Sequence, residues 1–334
     1  MVAKRIWLLV ALVAVVGGLL FVWKYRFELS PAVATGPNRV VKVPLAHPKN
    51  PRTISVMTAN IALDTPTEAQ YPWAKRRALV VRVLLKYHAD IIGTQACSPV
   101  QTAYLSHYLL GYLHYPTHAN LGANVFASLS GALETWNQIW FKADRFALVA
   151  AAHGLVRPHH LQANPTENTY YSLVVLRDRL AILPDIIVID THLRHGSYNA
   201  ALCARKLHRI LARWKKRFPH APAMLMGDMN HPKSDVAVYT GLCGNPGSGI
   251  APDTRLRDTF DYQARPKGVL WGTWQQFKGK PVISLPSDLI LVSPRWRFTP
   301  AQILRDHTPG GLYPSDHYFV MSDLTWPGVQ GSTQ

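Results

Sequence analysis

Four short stretches set polar side chains where a run of hydrophobic residues ends. TAN closes one such run with Asn60, and DTHLRH puts His192 two residues beyond Asp190. GDMN follows an apolar AMLM with Asp228 and Asn230, and YPSDH sets Asp316 and His317 ahead of a last hydrophobic segment. Residues two apart on extended chain project to the same side. Asp228 and Asn230 can therefore act together on one hard cation or one phosphoryl oxygen. Singly, GDMN reads equally as a turn with an Asx cap, and an Asp-His dipeptide is common. Jointly, two histidines, two aspartates and two asparagines at strand ends suit metal-assisted attack on a phosphate ester. One His can act as general base and another group as acid, the aspartates can hold Mg²⁺, and the asparagines can orient the phosphate. The patterns of rival chemistries are missing: no G-x-S-x-G, no H-E-x-x-H, no P-loop and no dinucleotide glycine pattern.

A fifth stretch, IIGTQACSPVQ, has the frame of a metal site without its acid. A β-branched run reaches Gln95, and where a carboxylate would complete one edge of the site there is Ala96.

These residues need strands to carry them. ISVMTANI, IIGTQ, WNQIWF, YYSLVVL, IIVIDTHL, AMLMGDMN, SDLILV and YFVMSDL have the β-rich, apolar character of strands. AKRRALVVRVLLKYHAD (residues 74–90) carries a continuous apolar face with Arg and Lys opposite, and predicts a helix. A second, longer helix is predicted from NAALCARKLHRILARWKKRF. Its Cys203, Leu207, Ile210, Leu211, Trp214 and Phe218 share one face, and Arg205, Arg209, Arg213 and Lys216 point outward. Many strands with few helices, in no regular alternation, predict a layered α/β fold rather than a parallel barrel.

The chain has 334 residues with 48% hydrophobic and 16% charged content, which excludes a disordered chain. Its net charge is +17; Lys4, Arg5, Lys24 and Arg26 against Glu28 put +3 in the first 30 residues and leave +14 for the rest. That surplus favours anionic partners, or serves colloidal solubility alone. Cys97, Cys203 and Cys243 are too few and too widely spaced for a disulfide framework or a zinc site.

Residues 6–23, IWLLVALVAVVGGLLFVW, carry no charge and have Trp7 and Trp23 at their ends. As a helix they span roughly 27 Å, close to the ~30 Å hydrocarbon layer. Residues 1–29 are thus expected to form a retained single-pass anchor with the domain on the periplasmic or extracellular side; the alternative is secretion after signal cleavage. The Pro-rich residues 30–52 read as an extended linker, and residues 327–334 as a flexible tail.

TANI, the RR pair with its helix and IIGTQ, IWFKADRF, DTHLRH, GDMN, SDLILVSP and YPSDHYFV follow one another in an order that resembles the endonuclease/exonuclease/phosphatase superfamily. NIALDTP, YPWAKRR and GTW resemble its secreted bacterial branch. The resemblance implies a four-layer α/β/β/α sandwich of the deoxyribonuclease I type over residues 53–326, with the site at one edge of the paired sheets. It implies that Asn60 and Asp316 help bind Mg²⁺ or Mn²⁺, and that His192 donates to the phosphate or leaving group. It further implies that Asp228, with Asn230 beside it, activates water, and that Asp288 orients His317 as general base or electrostatic partner. Asn137 and Tyr171 become phosphate-side contacts; Glu134 lies one residue from where some members place an acidic partner.

The same resemblance implies a metal-binding glutamate after Gln95, where Ala96 stands. Soft Cys97 is a poor substitute for Mg²⁺, and Asp64 or water could take the place. Three readings follow. The first is a membrane-tethered, metal-dependent phosphoester hydrolase with weakened metal affinity. The second is a pseudo-hydrolase that binds phosphate-containing ligands without cutting them, and the third is a structural envelope protein. The substrate would be nucleic acid, a phospholipid headgroup, or a sugar or inositol phosphate.

Overall fold

The computed structural model describes residues 50–64, 70–116, 136–156, 169–194, 196–244, 251–260 and 269–328. The anticipated anchor at residues 6–23 lies outside them; among the described residues no helix is long and apolar enough to cross a membrane. The architecture is α/β, with two mixed sheets.

The strands of the first sheet are β1 (Thr53–Asn60), β2 (Ile91–Cys97), β3 (Tyr112–Tyr115), β4 (Trp136–Lys142), β11 (Arg297–Phe298), β12 (Gln302–Leu304) and β13 (Phe319–Thr325). They lie in the order β11-β13-β1-β2-β4-β3, with β12 also on β13. The second sheet holds β5 (Phe146–Leu155), β6 (Tyr170–Asp178), β7 (Ile186–His192), β8 (Ala223–Asp228), β9 (Arg257–Asp258) and β10 (Asp288–Val292). Its order is β5-β6-β7-β8-β10-β9. The eight expected strands are all present. β5 is an addition to them: FALVAAAHGL is rich in alanine and partly exposed, without the β-branched character that marks a strand.

Alternation along β1 divides its side chains between two hydrophobic layers. Ile54 and Val56 pack with Ile139 and Phe141 and with Val174 and Val188 of the second sheet. Met57 and Ala59 pack instead beneath α1 (Trp73–Tyr87) and α2 (Pro99–Tyr108), in a layer with Val80, Leu84 and Leu105. The long helix α3 (Ser197–Arg217) buries Cys203, Leu207, Ile210 and Leu211 and exposes Arg205, Arg209, Arg213 and Lys216, as its spacing predicts. It packs beside α4 (Val236–Cys243), which contributes Val238 and Leu242 to the same core.

Candidate active site

Strand direction gathers residues that are distant in sequence. β1 and β2 run parallel with Asn60 opposite Gln95, and β7 and β8 run parallel with His192 opposite Asp228. Parallel neighbours end at the same edge of a sheet. β10 is antiparallel to β8 and begins there, with Asp288 opposite Asp228. β13 is antiparallel to β1, so His317, just ahead of it, enters at that edge too. Gly227 makes the close approach possible: a Cβ on it would lie 1.8 Å from the Thr191 carbonyl oxygen. Its φ of 142° also lies outside what other residues adopt.

Nitrogen donors converge on one carboxylate oxygen. Asp228 Oδ2 lies 2.9 Å from Asn60 Nδ2, 3.4 Å from His192 Nε2 and 3.6 Å from His317 Nε2. Its other oxygen accepts the Asn230 backbone N–H at 2.8 Å. On the far side of the ring, His317 Nδ1 meets Asp288 Oδ2 at 2.9 Å. Asp228 and Asp288 are fully buried and His317 nearly so, while the His192 side chain keeps 20% of its surface exposed.

The electrostatics follow from this packing. Burial alone would raise the Asp228 carboxyl, but His317, His192, the Asn230 amide and Asn60 outweigh it and bring it below its usual value. Asp288 is shifted upward, by burial and by the charge of Asp228, against the opposing pull of His317. Burial disfavours the His317 cation, yet Asp288, Asp228 and Asp316 overcome this and push the imidazole up to about 10. At neutral pH His317 is therefore an imidazolium held between two aspartates, suited to stabilise negative charge rather than to accept a proton.

The other expected residues lie at varied distances from this centre. Asn230, left-handed at φ 52°, donates its side-chain amide to the Leu193 carbonyl at 2.6 Å. The Asp316 carboxylate accepts the Ser315 hydroxyl at 3.1 Å. Asn137 donates to the Tyr170 carbonyl at 2.8 Å, and Tyr170 is the strand partner of His192. Tyr171 sits on the opposite face of β6 from Ser172, whose hydroxyl reaches across to the Asn137 carbonyl. Glu134 lies outside the described residues.

Ala96 occupies a bulge of β2 against β4, in the left-handed region at φ 49°. Its neighbour Cys97 is buried, and burial pushes the thiol up to about 12, so it stays protonated. Asp64 accepts the Trp73 backbone N–H at 3.0 Å, at the start of α1. One buried pair escapes a reading of the sequence: Gln95 Nε2 donates to Asp190 Oδ1 at 2.6 Å between the sheets. A Cβ at Gly93 would come within 2.7 Å of that same oxygen. Burial pushes the Asp190 carboxyl well above its usual range. Asp190 is visible in DTHLRH, but only sheet packing puts it against Gln95.

Residues 57–317 match the sequence model of the Endonuclease/Exonuclease/phosphatase family. This chain belongs to that family. No curated protein matches the sequence. Among solved structures it is similar to the mannosyl-6-phosphatase of Bacteroides thetaiotaomicron (18% identity, 82% of this chain and 100% of that one, TM-score 0.66). It is also similar to the human Nocturnin catalytic domain with bound sulfate (20% identity, 83% and 95%, TM-score 0.61). A third is D. rerio TDP2 complexed with single strand DNA product (16% identity, 82% and 99%, TM-score 0.58). At these identities the likeness is one of fold.

The endonuclease/exonuclease/phosphatase family consists of phosphoester hydrolases that typically depend on a metal. Asp228, Asp288 and His317 offer donor atoms that all lie within 4.8 Å of one another. Asp288 Oδ1 is buried and has no hydrogen-bond partner among the described residues. Such an orphaned oxygen beside a second carboxylate fits a hard divalent cation. His317 would join as a ligand only after losing its proton. Asp316 is not part of this trio.

Proposed function

We propose that the domain hydrolyses phosphate esters at the edge where Asn60, His192, Asp228, Asp288 and His317 meet, carried on a membrane anchor at residues 6–23. The convergence of Asn60, His192 and His317 on Asp228 Oδ2 carries the reading. A carboxylate that stays ionised in a buried, donor-rich setting can align water for attack on phosphorus. The His317 imidazolium, fixed from behind by Asp288, offers its Nε2–H to the charge that develops on the phosphoryl oxygens. His192, more exposed, offers Nε2 toward the leaving oxygen. Asn60 and the Asn230 backbone amide hold the Asp228 carboxylate in place. A divalent cation held by Asp228 and Asp288 would supply polarisation of the phosphoryl oxygen and a lowered pKa for bound water.

The substrate class is phosphate-containing, whether sugar phosphate, nucleic acid or lipid headgroup. The similar structures include a mannosyl-6-phosphatase and a DNA-product complex, and the +14 charge beyond residue 30 suits any of these anions. Ala96 favours a second reading, a domain that binds such ligands without cutting them. Resemblance puts a metal-binding glutamate there, and losing even an outer-sphere partner costs roughly 10–100-fold in metal affinity or activity.

The test is hydrolysis of an activated phosphodiester by the full chain in detergent, with Mg²⁺ and with Mn²⁺. Metal-dependent turnover that His317→Ala abolishes supports the hydrolase. A silent wild type that Ala96→Glu activates supports the binding module instead.

A further inference from the structure

Arg76 lies in the first turns of α1 with no exposed surface, and its bonds run to the two backbone segments that flank the site. Nε donates to the Tyr71 carbonyl at 3.1 Å. Nη1 donates to the carbonyls of Ile61 and of Pro314, the latter at 3.2 Å. Nη2 donates to Ala62 at 2.6 Å and to Leu63 at 3.3 Å. A guanidinium has five N–H donors in a fixed fork, and among the described residues these carbonyls offer it five contacts. The rings of Trp73 and Phe277 flank the group, with centroids 5.2 Å and 5.7 Å from its central carbon. Ile61, Ala62 and Leu63 directly follow Asn60; Pro314 directly precedes Ser315, Asp316 and His317.

Ala62 is the centre of this strap. It is left-handed at φ 56°, a conformation that is unfavourable for an L-residue. Such a conformation persists only where its surroundings over-determine it. Here Ala62 N–H donates to Asn60 Oδ1 at 3.0 Å, while its carbonyl accepts Arg76 Nη2 and, at 2.7 Å, Gln101 Nε2. Because Ala62 occupies Asn60 Oδ1, the Asn60 amide must present Nδ2, not oxygen, to Asp228 Oδ2. A flipped amide would set oxygen against carboxylate.

We infer that Arg76 is a positioning residue of the active site: by clamping the carbonyls of Ile61, Ala62, Leu63 and Pro314 it joins the two segments that carry Asn60 and His317, and through Ala62 it fixes which end of the Asn60 amide faces Asp228. The inference deepens the hydrolase reading and rests on it for its kinetic consequence alone. Lysine cannot replace the fork, having three donors on one nitrogen.

The experiment compares the full chain with Arg76→Lys, Ala62→Gly, the double variant and Gln101→Glu. Gln101→Glu keeps an acceptor for the Ser98 N–H, which Gln101 Oε1 now receives at 2.9 Å, but removes the donor to Ala62. Two quantities are read: hydrogen exchange of peptides spanning residues 59–64 against those of β6 and β7, and kcat and KM on an activated phosphodiester. Expected for Arg76→Lys is lost protection at residues 59–64 with β6 and β7 unchanged. A fall in kcat of about 10–100-fold should accompany it, with KM moving much less. Glycine takes the left-handed conformation freely, so the double variant should recover part of kcat. Gln101→Glu should act in the same direction more weakly, and it decides the matter if Arg76→Lys does not fold. In a variant that folds, protection lost equally across the sheets would overturn the inference, as would unchanged kcat with residues 59–64 exposed, or a double variant worse than Arg76→Lys. If wild type shows no turnover, the hydrolase reading falls, and the exchange pattern alone still decides whether Arg76 holds the strap.

Discussion

At the scale of single residues, the site is a balance between two buried aspartates and the histidine between them. His317 is raised to about 10 in the folded chain, against roughly 6.5 for an unfolded histidine. The folded state therefore holds the proton more tightly. Its contribution to stability is fully present below about pH 6.5 and is lost as pH rises toward the folded value. The gap in Tm between wild type and His317→Gln should be widest near pH 6 and narrow steadily toward pH 10. A gap independent of pH would show that the imidazolium is not held as described. Asp228 is shifted the opposite way. Its contribution is present above the usual carboxylate range and is lost as pH falls through its lowered folded value. Ala96 adds a backbone effect: left-handed at φ 49°, it should tolerate glycine well. Ala96→Gly is expected to raise stability by about 1 kcal/mol, read from denaturant midpoints; a lower midpoint would contradict the conformation.

At the scale of elements, strand direction puts the chemistry at one edge and leaves other parts to hold the sheets. Away from the site, Lys142 Nζ meets Asp90 Oδ1 at 2.9 Å, both buried, and Asp90 Oδ2 takes the Ser55 N–H at 2.8 Å. This pair ties the start of β2 to the end of β4 and the start of β1. Lys142→Met would strand a buried carboxylate, a change that costs about 3–5 kcal/mol. Chemical denaturation should show that loss, while kcat at a temperature where the variant stays folded should be unchanged. A drop in kcat as large as that from a site variant would mean the two edges are coupled. α2 illustrates a helix whose start is written locally: Ser98 and Gln101 form a reciprocal capping box on either side of Pro99, although the short helix shows little apolar periodicity.

At the scale of the molecule, the +17 charge should express itself through salt. Screening weakens contacts between exposed charges over a Debye length of about 8 Å at physiological ionic strength. Raising salt should therefore raise KM for single-stranded DNA steeply while hardly moving KM for a small activated diester. Equal salt effects on both would place the basic surface outside substrate recognition. Most of the charge, +14, lies beyond residue 30 and apart from the uncharged run at residues 6–23, so the salt effect should not depend on the detergent used.

The amino-acid order alone determined the strand and helix periods, the outward arginine face of α3, and the placing of Asn60, His192, Asp228, Asp288 and His317 at strand ends. Those are local properties: alternation, helical spacing and a polar residue closing an apolar run are each read within about ten positions. Tertiary structure decided which of these ends meet. The Asp228–His317–Asp288 chain, the Gln95–Asp190 pair and the Arg76 strap each join residues far apart in sequence. Their protonation states depend on burial, and burial is a property of the packed sheets. An arginine in AKRR looks like any solvent-facing helix cation until the loops that wrap it are in place. Only packing shows that Arg76 is fully buried while its neighbour Lys75 is exposed.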